Sequence, residues 1–378
     1  MPLYHTDDQA MLKDSAGDFM KNEAPVSHLR EFRDKDCKDG FSHALWKQFA
    51  EMGFTGMLAA EEDGGLGMGN TEAGIVLEEI GRNLTPSPFL TTSVVGVTGL
   101  NHASKDMRDQ WLPGIIAGET VLGVAIDEGP KFRPTNIAMK AERSGNGFKL
   151  NGKKQFVVQG ASADMLIVAA RTAGSAGEVD GITLFAVEKD AAGLSAEAAR
   201  LVDSAMGAQI EFDNVEVTAD AVIGEVDQGA EVMTKMLHSG QAGASAELVG
   251  VGAGAMDMTV DYLRERKQFG RTIGSFQALQ HRAAHLYSEM EIARSTVLKA
   301  QQLLDEDDAG APLMVSVAKA KTARAVNLAV REGVQMHGGI GMTDEYDIGL
   351  YMKRDRALAE FMGDANYHAN LVAEMNGY

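Results

Sequence analysis

Only one cysteine, Cys37, occurs in the 378 residues, so an intrachain disulfide is excluded and a reducing compartment is favoured. Positive charge is scarce as well: 35 Lys and Arg face 54 Asp and Glu, for a formal net charge of −19. A chain so acidic repels phosphate backbones, and no long basic run offsets this locally, which excludes nucleic acid as an expected partner. Long apolar runs are missing too. The longest candidate, Leu248–Met258, is interrupted by glycines and Asp257, so no membrane span is expected. The first residues, MPLYHTDDQAMLKD, are charged and lack the apolar core of a secretory signal. The expectation is a soluble, cytoplasmic protein. Aromatic residues are also few, at 6%, whereas Ala, Leu, Met, Glu and Lys are plentiful, which favours a mainly helical chain.

What is present exceeds one core. A 378-residue chain that is 45% hydrophobic and 24% charged is expected to form two or three domains. The 21 methionines are read as fillers of helical cores. From Thr6 to about Gly118 the apolar spacing is helical, as in Ala44, Leu45, Phe49 and Met52, with breaks at Gly53, Gly64–Gly65, Pro86 and Pro113. Between Val121 and Gly224 short alternating runs replace it: VLGVAI, FKLNG, KKQFVV, DMLIVAAR, ITLFAV and AQIEFDNVEV. These predict about seven or eight strands in an antiparallel barrel or sandwich, with a hairpin turn at Asn151-Gly152. Helical periodicity then returns in one uninterrupted pattern from about Gly229 to Arg266, roughly 55 Å long at 1.5 Å per residue. Further patterns lie near Ser275–Asp305 and Leu313–His337, and a last one closes the chain. The expected fold is α+β and mainly α: an N-terminal helical domain (1–118), a middle antiparallel β-barrel-like domain (119–226) and a C-terminal four-helix bundle (227–378).

Four segments carry a family resemblance. They are LWKQFAEMGFTGMLAAEEDGGLG from Leu45 with VLEEIGRNLTPSPF after it, EFDNVEVTADAVIG from Glu211, ERKQFGRTIGSFQALQH from Glu265, and QMHGGIGMTDEY from Gln335. In this order and spacing they cover nearly the whole chain, which resembles the acyl-CoA dehydrogenase family of flavoproteins. The resemblance implies FAD as cofactor and an acyl-CoA as substrate. It also implies assembly as a homotetramer, or as a heterotetramer with a related subunit, and electron-transferring flavoprotein as the electron acceptor. No metal site is expected.

Site residues follow from the resemblance one by one. Arg266, eleven residues before Gln277, stands where the family reaches the FAD pyrophosphate, and a planar guanidinium can grip two phosphate oxygens. Phe269 belongs to the QFG that follows. Gln335, Gly338 and Gly339 match the loop that lies along a neighbouring chain's cofactor, where glycine lets backbone amides come close. His281 and His337 are read as structural. In the flavin-ring loop, AIDEGPKFRPTN keeps Glu128 and Gly129, while KQFVVQG puts Phe156 and Val158 where the family has Trp and Thr. Phe156 can stack on an isoalloxazine; Val158 has no hydroxyl to offer.

The family's catalytic carboxylate is missing. The usual Glu falls on Met362 or Gly363, depending on a one-residue gap, and the alternative position, at the start of the long helix, is Gly240, with Gln241 beside it. Asp364 is the nearest carboxylate in sequence and is the candidate base, although an Asp at this turn also suits a helix cap. Glu247, two turns into the long helix, is expected to pair within the bundle. Three functional readings result. They are FAD-dependent α,β-dehydrogenation of an acyl-CoA, a base-less partner subunit of a heteromeric acyl-CoA dehydrogenase, and a flavoprotein of this fold with different thioester chemistry.

Overall fold

The computed structural model describes residues 3–378. Helix α1 (Asp7–Glu23) begins at a capping box, in which the Thr6 hydroxyl accepts from Gln9 N–H and the Gln9 side chain answers on Thr6 N–H. Then follow α2 (Val26–Asp34), α3 (His43–Glu51), α4 (Asn70–Asn83), a buried π-helical segment Phe89–Gly96, α5 (Val97–Leu100) and α6 (Lys105–Ile116). Strands β1 (Leu122–Ala125), β2 (Lys140–Ser144), β3 (Gly147–Val158), β4 (Met165–Arg171), β5 (Ile182–Glu188), β6 (Leu194–Arg200), β7 (Met206–Thr218) and β8 (Val222–Ile223) come next. The chain ends with α7 (Gly229–Glu265), the short pair β9 (Lys267–Gln268) and β10 (Arg271–Thr272), then α8 (Gln277–Asp305), α9 (Ala311–His337), α10 (Ile348–Glu360) and α11 (Ala365–Met375). The expected class, mainly helical with a middle β domain and a C-terminal helical bundle, is what the chain forms. Among the described residues no helix is long and apolar enough to cross a membrane.

Packing divides the chain into two compact units: residues 1–31, 70–85 and 241–378, and residues 32–69 and 86–240. In the first, glycine decides how closely two helices approach. A Cβ on Gly250 of α7 would lie 1.9 Å from the Glu78 carbonyl oxygen of α4, and one on Gly81 would lie 2.1 Å from the Glu247 carbonyl oxygen. The glycines that interrupt the apolar run at Leu248–Met258 therefore let two backbones touch. Asp305 ties the start of α4 to the end of α8 by accepting from the N–H groups of Asn70 (2.6 Å) and Thr71 (3.0 Å).

The second unit holds the sheet, ordered β6-β7-β3-β2-β4-β5-β8, with β1 alongside β4. Its pairs are antiparallel apart from the parallel β1–β4 ladder and a single β2–β4 contact. An aromatic cluster of Trp46, Phe49, Phe54 and Phe89 fills its helical part, with centroids 5.7–6.2 Å from Phe49. Phe148 and Phe185 meet edge to face at 5.1 Å within the sheet.

Three local expectations need correction. Asn151-Gly152 is not a turn: β3 runs straight through it, and the pair forms a bulge against β7, where Gly152 takes φ 151 and leaves no room for a Cβ beside Met139. The hairpin lies one turn signal earlier, at Gly145-Asn146 between Ser144 and Gly147, with Gly145 at φ 57. Pro113 does not end its segment, because α6 continues past it to Ile116. The closing pattern is two helices, broken at Phe361–Asp364 where Met362 and Gly363 take positive φ.

Candidate functional site

In the β unit, strand β3 carries a second bulge where its register against β7 shifts between Lys154 and Val157. Phe156 sits in this bulge at φ 55, and its ring is 56% exposed on an otherwise core-lining strand. Left-handed backbone in a bulky residue costs on the order of 1–3 kcal/mol, and bulges of this kind re-aim side chains next to functional sites. The bulge is held by Gln155 N–H donating to the Asp127 carbonyl oxygen at 2.8 Å. Val158 is half-buried in the following ladder position, opposite Gly207. Gln159, also left-handed at φ 54, accepts from the Thr91 hydroxyl at 2.6 Å, which anchors the strand end to the π-helical segment.

Beneath Phe156 lies a set of charges. The Lys154 side chain is fully buried; its Nζ donates to Ile126 O at 2.9 Å and to Glu128 Oε1 at 2.7 Å. Burial pushes this ammonium down to about 8, against the pull of Glu128. Glu128 also accepts from Ala138 N–H (2.8 Å) and Met139 N–H (3.1 Å), so the loop Ala125–Asn136 is clamped to β3 through one ion pair. The carboxyl of Asp127 accepts no hydrogen bond, and its Oδ1 is sealed from solvent. Burial pushes it up to about 6, with Lys154 opposing. Of these residues only Glu128 was singled out from the sequence. Lys154 left a readable trace: it continues the inward alternation of Phe148, Leu150 and Gly152, where an apolar residue is the norm.

In the other unit Arg266 directly follows α7 and is exposed, with no ion pair among the described residues. Phe269 and Gly270 form the tip of the β9–β10 hairpin at φ 55 and 78, the paired positive values that a two-residue turn requires, and Phe269 is 89% exposed. Gln277 opens α8 and is exposed. Gln335 lies on the last turn of α9; Gly338 (φ 65) and Gly339 follow, and neither has any atom within 4 Å of where a Cβ would stand. Their backbone is open to a ligand. His337 is buried instead, stacked between Tyr262 (4.5 Å) and Tyr346 (4.8 Å), and its Nδ1 donates to Gly333 O at 2.7 Å, the structural role expected of it.

The turn Phe361–Asp364 occupies the expected base position, and it is locked from three helices. Lys319 of α9 is fully buried and donates to the carbonyl oxygens of Leu358, Ala359 and Gly363, each at 3.0 Å. Burial pushes it down to about 7, opposed by Glu360, Asp364 and Asp355. Three carbonyls match the three donors of an ammonium, so we assign the charged form. Gln241 Nε2 donates to Met362 O at 3.1 Å, and His368 Nε2 lies 3.0 Å from the same oxygen. Since a carbonyl only accepts, His368 carries its proton on Nε2. Of the two possible base positions only Met362 can bear a side chain: a Cβ on Gly363 (φ 104) would lie 2.6 Å from Tyr367 and 2.8 Å from His368.

The carboxylates near this turn are engaged. Asp364 caps α11, its Oδ1 accepting from Asn366 N–H (3.0 Å) and Tyr367 N–H (2.7 Å). Glu247 is buried and paired with Arg354, whose Nε lies 2.8 Å from Oε1. Gly240 is a buried position inside α7.

Comparison with known proteins places this geometry. Residues 6–119, 127–215 and 227–376 match the N-terminal, middle and C-terminal domain models of acyl-CoA dehydrogenase. The chain is 30% identical over 368 residues to the mitochondrial isovaleryl-CoA dehydrogenase of Solanum tuberosum, covering 95% of this chain and 87% of that protein. It is 28% identical over 378 residues to the 3-(aryl)acrylate reductase of Clostridium sporogenes, covering 98% and 99%. Among solved structures, the ChsE4-ChsE5 complex of Mycobacterium tuberculosis superposes with a TM-score of 0.91 over 100% of both chains at 25% identity. With three consecutive domain models and a full-length relative in agreement, this chain belongs to the acyl-CoA dehydrogenase family.

Proposed function

We propose that the protein is an FAD-dependent acyl-CoA dehydrogenase that removes hydrogen across the Cα–Cβ bond of a CoA thioester. The observation that carries this reading is Phe156: a large aromatic ring turned outward by a left-handed bulge, at the cost of strain, beside a carboxyl with no partner. Such a face suits a planar heteroaromatic ring, and an orphaned polar group beside it suits a ring with hydrogen-bonding edges. FAD, when bound, supplies the two-electron acceptor. In this reading Phe156 stacks on the ring, Val158 shields it, and Glu128 with Lys154 hold the loop in place. Arg266 and Gln277 serve the pyrophosphate, with Phe269 in the adjoining hairpin, while Gln335, Gly338 and Gly339 lie along the cofactor of a neighbouring chain. The domains extend over 1–118, 119–226 and 227–378, in a cytoplasmic homotetramer that passes electrons to electron-transferring flavoprotein.

A second reading is favoured by a specific observation. Met362 and Gly240 carry no carboxylate, Asp364 is engaged in a helix cap, and Glu247 is ion-paired, so no free base stands at either family position. The protein is then the base-less subunit of a heterotetramer, contributing Arg266, Gln277 and Gln335–Gly339 to a related chain. The test is purification alone and with a related, Glu-bearing chain. A yellow protein that bleaches with an acyl-CoA under anaerobic conditions supports independent dehydrogenation. A colourless one that gains flavin only on co-expression supports the heteromer.

A further inference from the structure

Asp127 is the one member of the charge set beneath Phe156 that the clamp does not use. Lys154 is matched by Glu128 and by the Ile126 carbonyl. Glu128 is saturated by Lys154 and two backbone N–H groups. That leaves two carboxyls against one buried ammonium, with the Asp127 side chain accepting nothing although one of its oxygens is sealed from water. An acid in that position is satisfied most simply by keeping its proton and donating it in a hydrogen bond. Its backbone fixes where it can donate, because the Asp127 carbonyl holds Gln155 and thereby the bulge that displays Phe156.

We propose that Asp127 is a cofactor-contacting residue that binds a proton as the flavin ring settles on Phe156 and donates it in a hydrogen bond to an acceptor atom of that ring. This rests on the reading that Phe156 faces the flavin. The charged groups facing Asp127 are Lys154 from β3 and Glu128 from its own loop; Lys131 and Arg133, further along, are exposed. Burial already raises the carboxyl to about 6 in the free protein, so at neutral pH it is largely ionised and has a proton to gain. Flavin binding then takes up a proton above that pH and none well below it.

The test is calorimetric titration of FAD into the flavin-stripped full-length chain, in buffers of low and high ionisation enthalpy, from about pH 5 to about pH 8. The expected result is an uptake close to one proton per FAD at about pH 8, falling toward none at about pH 5, with affinity weakening about tenfold per pH unit at the alkaline end. Asp127→Asn, which removes no intramolecular hydrogen bond and still offers a donor, binds FAD without that uptake or slope. FAD binding to the natural chain with no proton uptake overturns this inference and leaves the Phe156 reading standing, as does uptake undiminished in Asp127→Asn. Absence of FAD binding at every pH overturns both. Because the natural chain alone supplies the first readout, the result does not depend on the variant folding.

Discussion

Lys319 Nζ donates to the carbonyl oxygen of Gly363 at 3.0 Å, and with Leu358 and Ala359 this makes one buried ammonium the cap of α10 and the clamp of the turn after it. The last carbonyls of a helix have no partner within the helix, and buried ones need one. Lys319→Met keeps the length of the apolar stem but strands three acceptors. We expect a stability loss of about 3 kcal/mol in urea unfolding, with α10 amides exchanging faster. A variant as stable as the natural chain would refute the capping role.

Gly250→Ala separates packing from propensity. In an isolated helix the change stabilises by about 1 kcal/mol. Here the new Cβ meets the Glu78 carbonyl oxygen at 1.9 Å, so α4 and α7 must part. The expected outcome is a loss of about 2 kcal/mol and a lower Tm; an increase in Tm would show that the two backbones are not in contact.

Asp355 gives a pH signature of unusual sign. It is 1% exposed, accepts one hydrogen bond from Asn327 at 3.1 Å, and has its other oxygen buried without a partner. Burial pushes it up to about 6, above its unfolded value near 3.9. The folded state therefore holds the extra proton, and this contribution to stability is full below about pH 4 and lost as pH rises through about 6. Asp355→Asn, which keeps an acceptor for Asn327, should be more stable than the natural chain by about 2 kcal/mol at pH 8 and equal to it near pH 4. Chemical unfolding at the two pH values decides it, and a destabilised variant at pH 8 would contradict the assignment.

Asp364 and Met362 test the base. Asp364→Ala should cost about 1 kcal/mol by uncapping α11, whereas Asp364→Asn keeps an acceptor and should change neither stability nor any flavin bleaching by acyl-CoA. Loss of bleaching in Asp364→Asn at unchanged stability would restore Asp364 as the base. Met362→Glu places a carboxylate at the one position of the turn with room for a side chain. Its bleaching rate should rise by about 10²- to 10⁴-fold over the natural chain.

The broad architecture was legible because periodicity reports local burial. The pattern over Gly229–Arg266 ends within a residue of α7, and the switch to alternating runs after Val121 marks β1. Asp364 as a cap could also be read, since an Asp before a helical run satisfies donors only two and three residues away. The closing helix pair was harder, because the positive φ of Met362 leaves no mark in an apolar pattern.

The residues alone thus determined the order of helical and β domains, the family, and the lack of a glutamate at both of its customary places. Tertiary structure decided what stands there instead. The choice between Met362 and Gly363 depends on Tyr367 and His368 filling the space beside Gly363. The readiness of Asp127 depends on Lys154 being matched by Glu128, twenty-six residues away. The turn at Asn151-Gly152 became a bulge because β7 pairs along the whole of β3. Each is a matter of which distant atoms fill the space around a group. Sequence spacing fixes the face a side chain takes, but the register between segments fixes its neighbours.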